Sequence, residues 1–543
     1  MHFGVRVACV VALVALATAI IAARLPGSAT GIDDANIFFV YARHVSAGDG
    51  FVFNPGGERV EGFTSLLWVL IAGAATAVGG SPETPLLVLN VLLVSATVLL
   101  CLRGLSASWA IVFLFLLLSD PSFMVWHTSA LMETALWSAL LTTLAIVGAQ
   151  RLPIRYESRV LTIVSALLVL TRPEALVWVP ALLALLFFAR SDAATTARGL
   201  RHVGPAVVAF IATAAALTIF RLLYFGFPLP NTFYAKVSPS LVYRFSEGIR
   251  YLTSYINSSV VVLSCALAVG ASAVHLVTVR FADARTLALT GAAACGLVVP
   301  VLTGGDHFGG FRFYQPIFPL LLLTLLNFFG HVVPAYLPPD RFTPAWRRAA
   351  LGSAAVAVGT VVVLQLVTWL SLDPSAILGR EFDIAAAGRR VGRRANVVFE
   401  NRRHPAIATI TVGGLKYAYK GDVIDLMGLN DTRVAHNGGD RIGFRSHAAF
   451  EVRTFFELKP DVIIPLVQHN DSLSAAGRTD RFTRTVLKGL LDEPRFRDGY
   501  QLAEVRRSTG DSVVTLAGWY ERAFLEQLRR AGGLEVIVGS RSD

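Results

Sequence analysis

Asp33 and Asp34 open a stretch, residues 33–68, in which acidic, basic and turn-forming side chains crowd between two apolar runs. Adjacent carboxylates cannot share one helix face, so the two suit different tasks: one to take up a proton, the other to cap the helix that follows. That helix reads as amphipathic through about His44, with Arg43 just before its end. Gly48-Asp49-Gly50 and Asn54-Pro55-Gly56-Gly57 make turns around a short Phe51-Val52-Phe53 strand, and Glu58, Arg59, Glu61 and Thr64 lead back into apolar sequence. In a chain that is 54% hydrophobic, such crowding points to chemistry at a membrane surface. A solvated connector is the alternative, and it needs neither paired Asp nor an Asn-Pro-Gly-Gly turn.

Further candidates lie at the ends of later apolar runs. Glu133 follows Ser129-Ala130-Leu131-Met132 at the mouth of one, either as a solvated helix end or as a site carboxylate; His127 nearby is a donor or an interfacial side chain. Arg172, between Thr171 and Pro173-Glu174, is a charge at the end of a span that requires a partner, Glu174 or a ligand. Asn231 and Lys236 sit in PLPNTFYAK (residues 228–236). Asp306-His307 follows Gly304-Gly305, where the absent side chains let backbone and ligand approach closely, and Arg312 comes soon after. Arg43, His44, Arg172, Lys236 and Arg312 can each pair an anionic headgroup while an apolar wall takes a lipid tail; the alternative for each is a snorkelling interface residue.

The elements that position these side chains are mostly membrane helices. With a mean hydropathy of +0.59 and 16% charged residues, the 543-residue chain is too apolar for an ordinary soluble globule. Apolar runs occupy residues 5–23, 66–78, 86–102, 109–118, 135–149, 160–170, 175–189, 203–220, 260–279, 286–302, 316–329 and 349–370. Several fall short of the roughly 20 residues of an upright span and must borrow flanking residues or break. The first run reads as a retained span, with a cleaved signal peptide as the alternative. Arginines cluster at 151, 155 and 159, at 190, 198 and 201, at 280 and 285, and at 341, 347 and 348, alternating with the loops that carry the candidates, so the basic loops are assigned to the cytoplasm. Arg221, Lys236, Arg244 and Arg250 fall on the opposite side and suggest a task of their own. Three runs separate the first loop from Glu133, whereas two external loops require an even number, so one run must be incomplete or fused with its neighbour.

Beyond residue 370 the composition changes, with 22 of the 37 acidic residues in the last 173 positions. Short β-branched runs at 408–412, 423–426, 461–466 and 512–516 alternate with helical ones at 415–420, 447–458, 481–491 and 520–530, the pattern of an α/β or α+β module. Gly413-Gly414 reads as a plain turn or a phosphate loop. Asp425, Asn430-Asp431 and His436 follow a buried-type strand and suit either ligand binding or turn capping. Cys9, Cys101, Cys265 and Cys295 all lie in apolar runs without metal-ligand spacing and read as small buried hydrophobes. The net charge of +11 is explained by basic cytoplasmic loops and anionic lipid, with no nucleic-acid motif.

Residues 33–68 (DDANIFFVYARHVSAGDGFVFNPGGERVEGFTSLLW), TSALMETALW (128–137), TRPEA (171–175), PLPNTFYAK, GGDHFGGFRFYQP (304–316) and VIDLMGLND (423–431) span about 400 residues. Together they resemble polyprenyl-phosphate-sugar-dependent glycosyltransferases of the GT-C superfamily, most closely the actinobacterial terminal arabinofuranosyltransferase group. The resemblance implies a polytopic α-helical membrane protein of about eleven spans, with residues 1–370 as the catalytic membrane domain and 24–65 as its first external loop. Residues 371–543 would form an extracytoplasmic α/β domain that helps to hold the acceptor. It implies a plasma-membrane enzyme with a cytoplasmic N-terminus that moves a sugar, arabinofuranose above a hexose such as mannose, from a polyprenyl phosphate to an envelope glycan with inversion. Its partners would be that donor, that glycan and membrane lipid. The base carries over to Asp33 with Asp34 close behind, and Glu133 to an orienting group or metal ligand. A divalent metal is open, with Asp34 and Glu133 as possible ligands. Arg43, His44, Arg172, Lys236 and Arg312 are assigned to the donor phosphate, and Glu61, Glu174, Asn231, Asp306, His307, Asp431 and His436 to substrate. His307 stands where the family favours Trp, which weakens a sugar-stacking role there. The rival class is a polytopic transporter or flippase, disfavoured because the acids sit at span ends rather than mid-membrane and no internal repeat is present.

Overall fold

The computed structural model of the protein describes residues 3–25, 27–149, 154–190, 196–338, 342–371, 373–439, 441, 444–470, 472–510 and 512–539. Arg151 and Arg341, counted in the basic loops, lie outside these. Among the described residues, seven helical runs are long and apolar enough to cross a membrane: Phe3–Ala23, Glu83–Leu102, Arg201–Phe225, Val260–Thr278, Ala284–Thr303, Gln315–Ala335 and Pro344–Val398. An eighth arises if Ala107–Leu118 and Pro121–Ser129, bent by 70°, count as one. The bend has a local cause. Pro121 cannot continue the preceding helix but suits the first turn of a new one, and the Asp120 carboxylate accepts from the Phe123 N–H at 2.7 Å to cap it.

Three shorter apolar helices are Leu66–Gly79, Thr134–Val147 and Ala175–Phe188. Leu66–Gly79 has 14 residues, about 21 Å at 1.5 Å per residue, against a hydrocarbon core of about 30 Å. Ser65 caps its start, and Gly80, in the left-handed region, ends it.

The chain forms two compact units, each built from discontinuous segments. The first joins Met1–Leu25, Leu87–Leu217 and Ser240–Leu378. Among its described residues it has helices and loops and no strand, and the Gln315–Ala335 run is its most enclosed span, with Leu320–Leu326 packed on all sides. The second joins Pro26–Leu86, Thr218–Pro239 and Gly379–Asp543, so the acid-rich first loop and the carboxy-terminal module belong to one unit.

That second unit contains a six-stranded sheet: β1 (Ile407–Thr409), β2 (Val423–Asp425), β3 (Val462–Ile463), β4 (Tyr500–Thr509), β5 (Ser512–Glu521) and β6 (Glu535–Val538), in the order β2-β1-β3-β5-β4-β6. β1 runs parallel to β2 and β3, and the β4–β5 hairpin and β6 complete it antiparallel. The sequence pattern anticipated β1, β2, β3 and β5. It missed β6, and it missed β4, where Leu502–Val505 are buried in succession with Glu504 among them and Arg506 and Arg507 follow. The first-loop helix runs Asp33–Ala47, three residues past His44, and Gly48 ends it at φ 89°. The strand read at Phe51–Phe53 is a single bridge between Val52 and Arg59 across the Asn54–Gly57 turn.

Within this unit the Ser375–Val398 helix meets the Gly413–Ala418 helix through glycines. A Cβ on Gly414 would lie 2.2 Å from the Ala385 carbonyl oxygen, and one on Gly388 would lie 2.7 Å from the Leu415 nitrogen. Gly414→Ala should therefore destabilise the protein by about 1–3 kcal/mol, because only backbone can yield there. Thermal melting checks this, and an unchanged melting temperature would mean the two helices can separate freely.

Candidate active site

The second unit holds Asp33, Asp34, Arg43, His44, Glu61, Asn231, Lys236, Asp431 and His436. Asp33 is turned inward, with Oδ2 accepting from the Gly413 N–H at 3.0 Å and Oδ1 from the Gly414 N–H at 2.8 Å. A Cβ on Gly413 would lie 2.0 Å from the Asp33 carbonyl oxygen, so the glycine pair admits this approach. The paired N–H groups read as a turn or phosphate loop thus hold a carboxylate of the chain itself. Burial pushes the Asp33 carboxyl up to about 6, the two backbone N–H groups pull it down, and Asp34 and Asp425 nearby push it up further. Asp34 is half-buried, and its Oδ2 lies 3.7 Å from Lys236 Nζ.

Several of the other candidates are committed to internal partners. Arg43 donates to the Tyr417 carbonyl at 2.8 Å, and His44 Nδ1 is 2.8 Å from the Val52 carbonyl, so both fasten backbone rather than face an open site. Glu61 is buried and gripped by the Arg221 guanidinium at 2.8–3.1 Å. Asn231 is a junction: its backbone N–H donates to the Glu61 carbonyl at 3.0 Å, and its side-chain amide donates to Gly428 and Leu429 carbonyls at 2.8 and 3.0 Å. Its Oδ1 lies 3.1 Å from His436 Nε2, while the His436 ring stacks on Phe227 at 4.0 Å. Asp431 caps the short Thr432–Ala435 helix, accepting from the Arg433 and Val434 N–H groups. Of the two readings given to Asp431 and His436, the geometry matches turn capping and packing. Tyr41, unremarked in the sequence, donates to Asn430 Oδ1 at 3.0 Å and accepts from the Gly62 N–H at 3.1 Å. Asp425 accepts from Asn430 and the Met427 N–H, and burial pushes its carboxyl up to about 6 as well.

The first unit assembles Glu133, Arg172, Glu174, Asp306, His307 and Arg312. Arg172 forks onto Glu174, Nη2 to Oε1 at 2.7 Å and Nε to Oε2 at 3.1 Å, and its Nη1 meets Glu133 Oε1 in a shorter contact. Arg312 Nε lies 2.7 Å from Asp306 Oδ2, while Asp306 Oδ1 accepts from the His307 N–H at 2.9 Å. Phe313 is shared, with the Arg172 guanidinium 5.3 Å and the Arg312 guanidinium 5.2 Å from its ring centre. The two arginines, Glu174 and Phe313 line a narrow cleft whose wall includes Trp137 and Trp178. The sequence reading passed over both tryptophans; Trp137 stands inside TSALMETALW, where an aromatic at a span mouth was the available clue. His127 is not an interfacial side chain: it is buried, stacked on Phe123 at 3.9 Å, with Nδ1 2.8 Å from the Phe123 carbonyl.

Cys9, Cys101, Cys265 and Cys295 are free thiols. Among the described residues, no group of three or more His, Cys, Asp or Glu could hold a metal ion, and Asp34 and Glu133 belong to different units.

The fold places the chain among polytopic helical membrane proteins of known structure. ArnT from Cupriavidus metallidurans bound to undecaprenyl phosphate matches with a TM-score of 0.51 over 94% of this chain and 98% of that one, at 13% identity. The apo state of the same protein matches with a TM-score of 0.52 over 90% and 94%, at 12% identity. At this level of identity the likeness is one of fold. No family model and no curated protein sequence matches the chain.

The Asp33 environment has a pH signature. Its folded value lies above the ordinary value near 3.8, so its contribution to stability is complete below about pH 4 and is lost as the pH rises through about 6. Thermal melts of wild type and Asp33→Asn, compared between about pH 4 and 7, should diverge by up to about 3 kcal/mol. A difference that stays constant across that range would mean that Asp33 is not the buried, proton-binding carboxylate described above.

Proposed function

We propose that the protein is an inverting GT-C glycosyltransferase that moves a sugar, arabinofuranose, from a polyprenyl phosphate to an envelope glycan. It would act in the plasma membrane, with about eleven spans, a cytoplasmic N-terminus and the carboxy-terminal module outside. The observation that carries this reading is the cleft of the first unit. There Arg172 and Arg312 stand beside a wall of Trp137, Trp178 and Phe313, a combination suited to a phosphate with an isoprenoid tail. Support also comes from the fold shared with ArnT, whose structure contains undecaprenyl phosphate.

The chemistry is a single displacement. The acceptor hydroxyl oxygen bonds to the anomeric carbon, the bond from that carbon to the phosphate oxygen breaks, and polyprenyl phosphate leaves with the electron pair. The hydroxyl proton passes to a carboxylate. Of the two first-loop carboxylates of the second unit, Asp34 rather than Asp33 is suited to accept a proton, because both Asp33 oxygens accept from backbone N–H groups and its side chain is enclosed, whereas Asp34 is partly accessible beside Lys236. Asp33 is then a positioning residue that holds the start of the loop helix against Gly413-Gly414. Arg172 and Arg312 would offset the charge on the leaving phosphate. The cleft is not a simple anion trap, since Glu133, Glu174 and Asp306 share these two guanidiniums. A phosphate would bind either by displacing a carboxylate from an arginine or together with a divalent cation.

Purified protein with a panel of polyprenyl-phosphate sugars tests the assignment. Asp34→Asn should lower transfer roughly 100-fold to 10,000-fold without changing the melting temperature. Full activity in Asp34→Asn alongside a dead but folded Asp33→Asn would return the base to Asp33, and activity in both would remove the carboxylate mechanism. Assays with and without a chelator separate the two modes of phosphate binding. Movement of an intact lipid-linked sugar without bond cleavage would favour the transporter reading.

A further inference from the structure

Leu241–Ile256, in the first unit, is a helix with three distinct sides. At about 100° per residue, Glu247, Gly248, Tyr251 and Tyr255 share one side and are buried. Leu241, Val242, Phe245 and Ile249 fall within an adjoining arc of about 100° and are 70%, 81%, 54% and 42% exposed. Ser246, Arg250, Thr253 and Ser254 fill the remaining arc and are exposed. A helix facing only protein and water has no use for the second side.

The position of the helix names its partner. It ends four residues before the Val260–Thr278 span begins, and it packs against the last turn of the Ala284–Thr303 span: a Cβ on Gly248 would lie 2.2 Å from the Val301 carbonyl oxygen, and Gly304 abuts Arg244. It therefore lies at the ends of two spans, where Val260, Val298 and Leu302 are themselves exposed apolar residues. We propose that Leu241–Ile256 is an interfacial helix whose Leu241, Val242, Phe245 and Ile249 side inserts into the acyl region of the bilayer while Arg250 stays among the lipid phosphates.

The buried side of this helix carries the Gly304–Pro316 loop. The Tyr251 ring packs over Gly305 and its hydroxyl accepts from the Phe313 N–H at 3.3 Å, while Tyr255 stacks on Tyr314 at 4.4 Å. Arg312 and Asp306 are thus held on a support whose adjoining side meets lipid. Depth in the membrane would set the height at which that loop meets a lipid-borne phosphate, a consequence that rests on the proposed function.

The test uses full-length protein with the four native cysteines replaced by alanine, its melting temperature matched to wild type, reconstituted in phospholipid vesicles. Nitroxides are attached at Phe245→Cys and, separately, at Arg250→Cys. The label at 245 should collide with oxygen and be shielded from a water-soluble nickel chelate, with the reverse order at 250. Equal nickel access at both sites overturns the proposal. Shielding of position 245 from both quenchers with dipolar broadening between labels overturns it too, since a second copy would then cover that side. Phe245→Glu should raise the KM for a polyprenyl-phosphate donor several-fold in vesicles and leave it unchanged in detergent. If wild type transfers no sugar, the function assigned above fails while the label depths still decide this inference; if it does and Phe245→Glu behaves alike in both media, the link to the loop fails.

Discussion

The carboxylate of Asp33 is the contact on which the second unit depends. Two backbone N–H groups from residues more than 370 positions away point at it, and no side chain larger than hydrogen fits at either donor. Around it the same logic recurs with Glu61 and Arg221, with Asn231 and the 428–431 turn, and with Tyr41 and Asn430. Each is a buried polar group satisfied by a partner from a distant segment. Leaving one such group without its partner costs about 1–3 kcal/mol, and more for a charge. The unit is held together by specificity of pairing as much as by apolar burial.

The first unit meets the same constraint by gathering its charges. Arg172 takes two carboxylates and Arg312 a third, and both lean on the ring of Phe313. In a low dielectric neither cation would persist alone. Pairing of this kind keeps guanidiniums in place at the edge of a span and leaves their remaining N–H groups defined in direction, which is what recognition of a planar or tetrahedral anion requires.

Much of this was legible in the residues. The apolar runs, the change of composition after residue 370, four of six strands and the grouping of Arg172 with Glu174 follow from period, hydropathy and the cost of a lone charge in lipid. What escaped was set by contacts between segments far apart in the chain. Gly413-Gly414 offered two glycines and no clue that Asp33 fills them. Asp431 and His436 look alike in sequence whether they bind a ligand or close a turn; that Asp431 caps Thr432–Ala435 and that His436 lies between Asn231 and Phe227 depend on how the chain folds back on itself. The roles of Asp33 and Asp34 turn on which way each side chain points, and adjacency alone shows that they differ without showing how.

The discontinuity of the second unit bears on how the protein comes to exist. Asp33 and Gly414 are 381 residues apart. At about 5–20 residues per second of synthesis, the first loop waits roughly 20–80 s for the backbone that satisfies its carboxylate. Through that interval the Asp33 carboxylate, the Asn231 amide and the Tyr41 hydroxyl stand without the partners that residues 413–430 later supply. Biogenesis, rather than the finished structure, is the stage at which this protein is most exposed to proteases and misassembly. A chain cut short before residue 413 would carry every helix of the membrane unit and still leave the Asp33 carboxylate without the two backbone N–H groups that satisfy it.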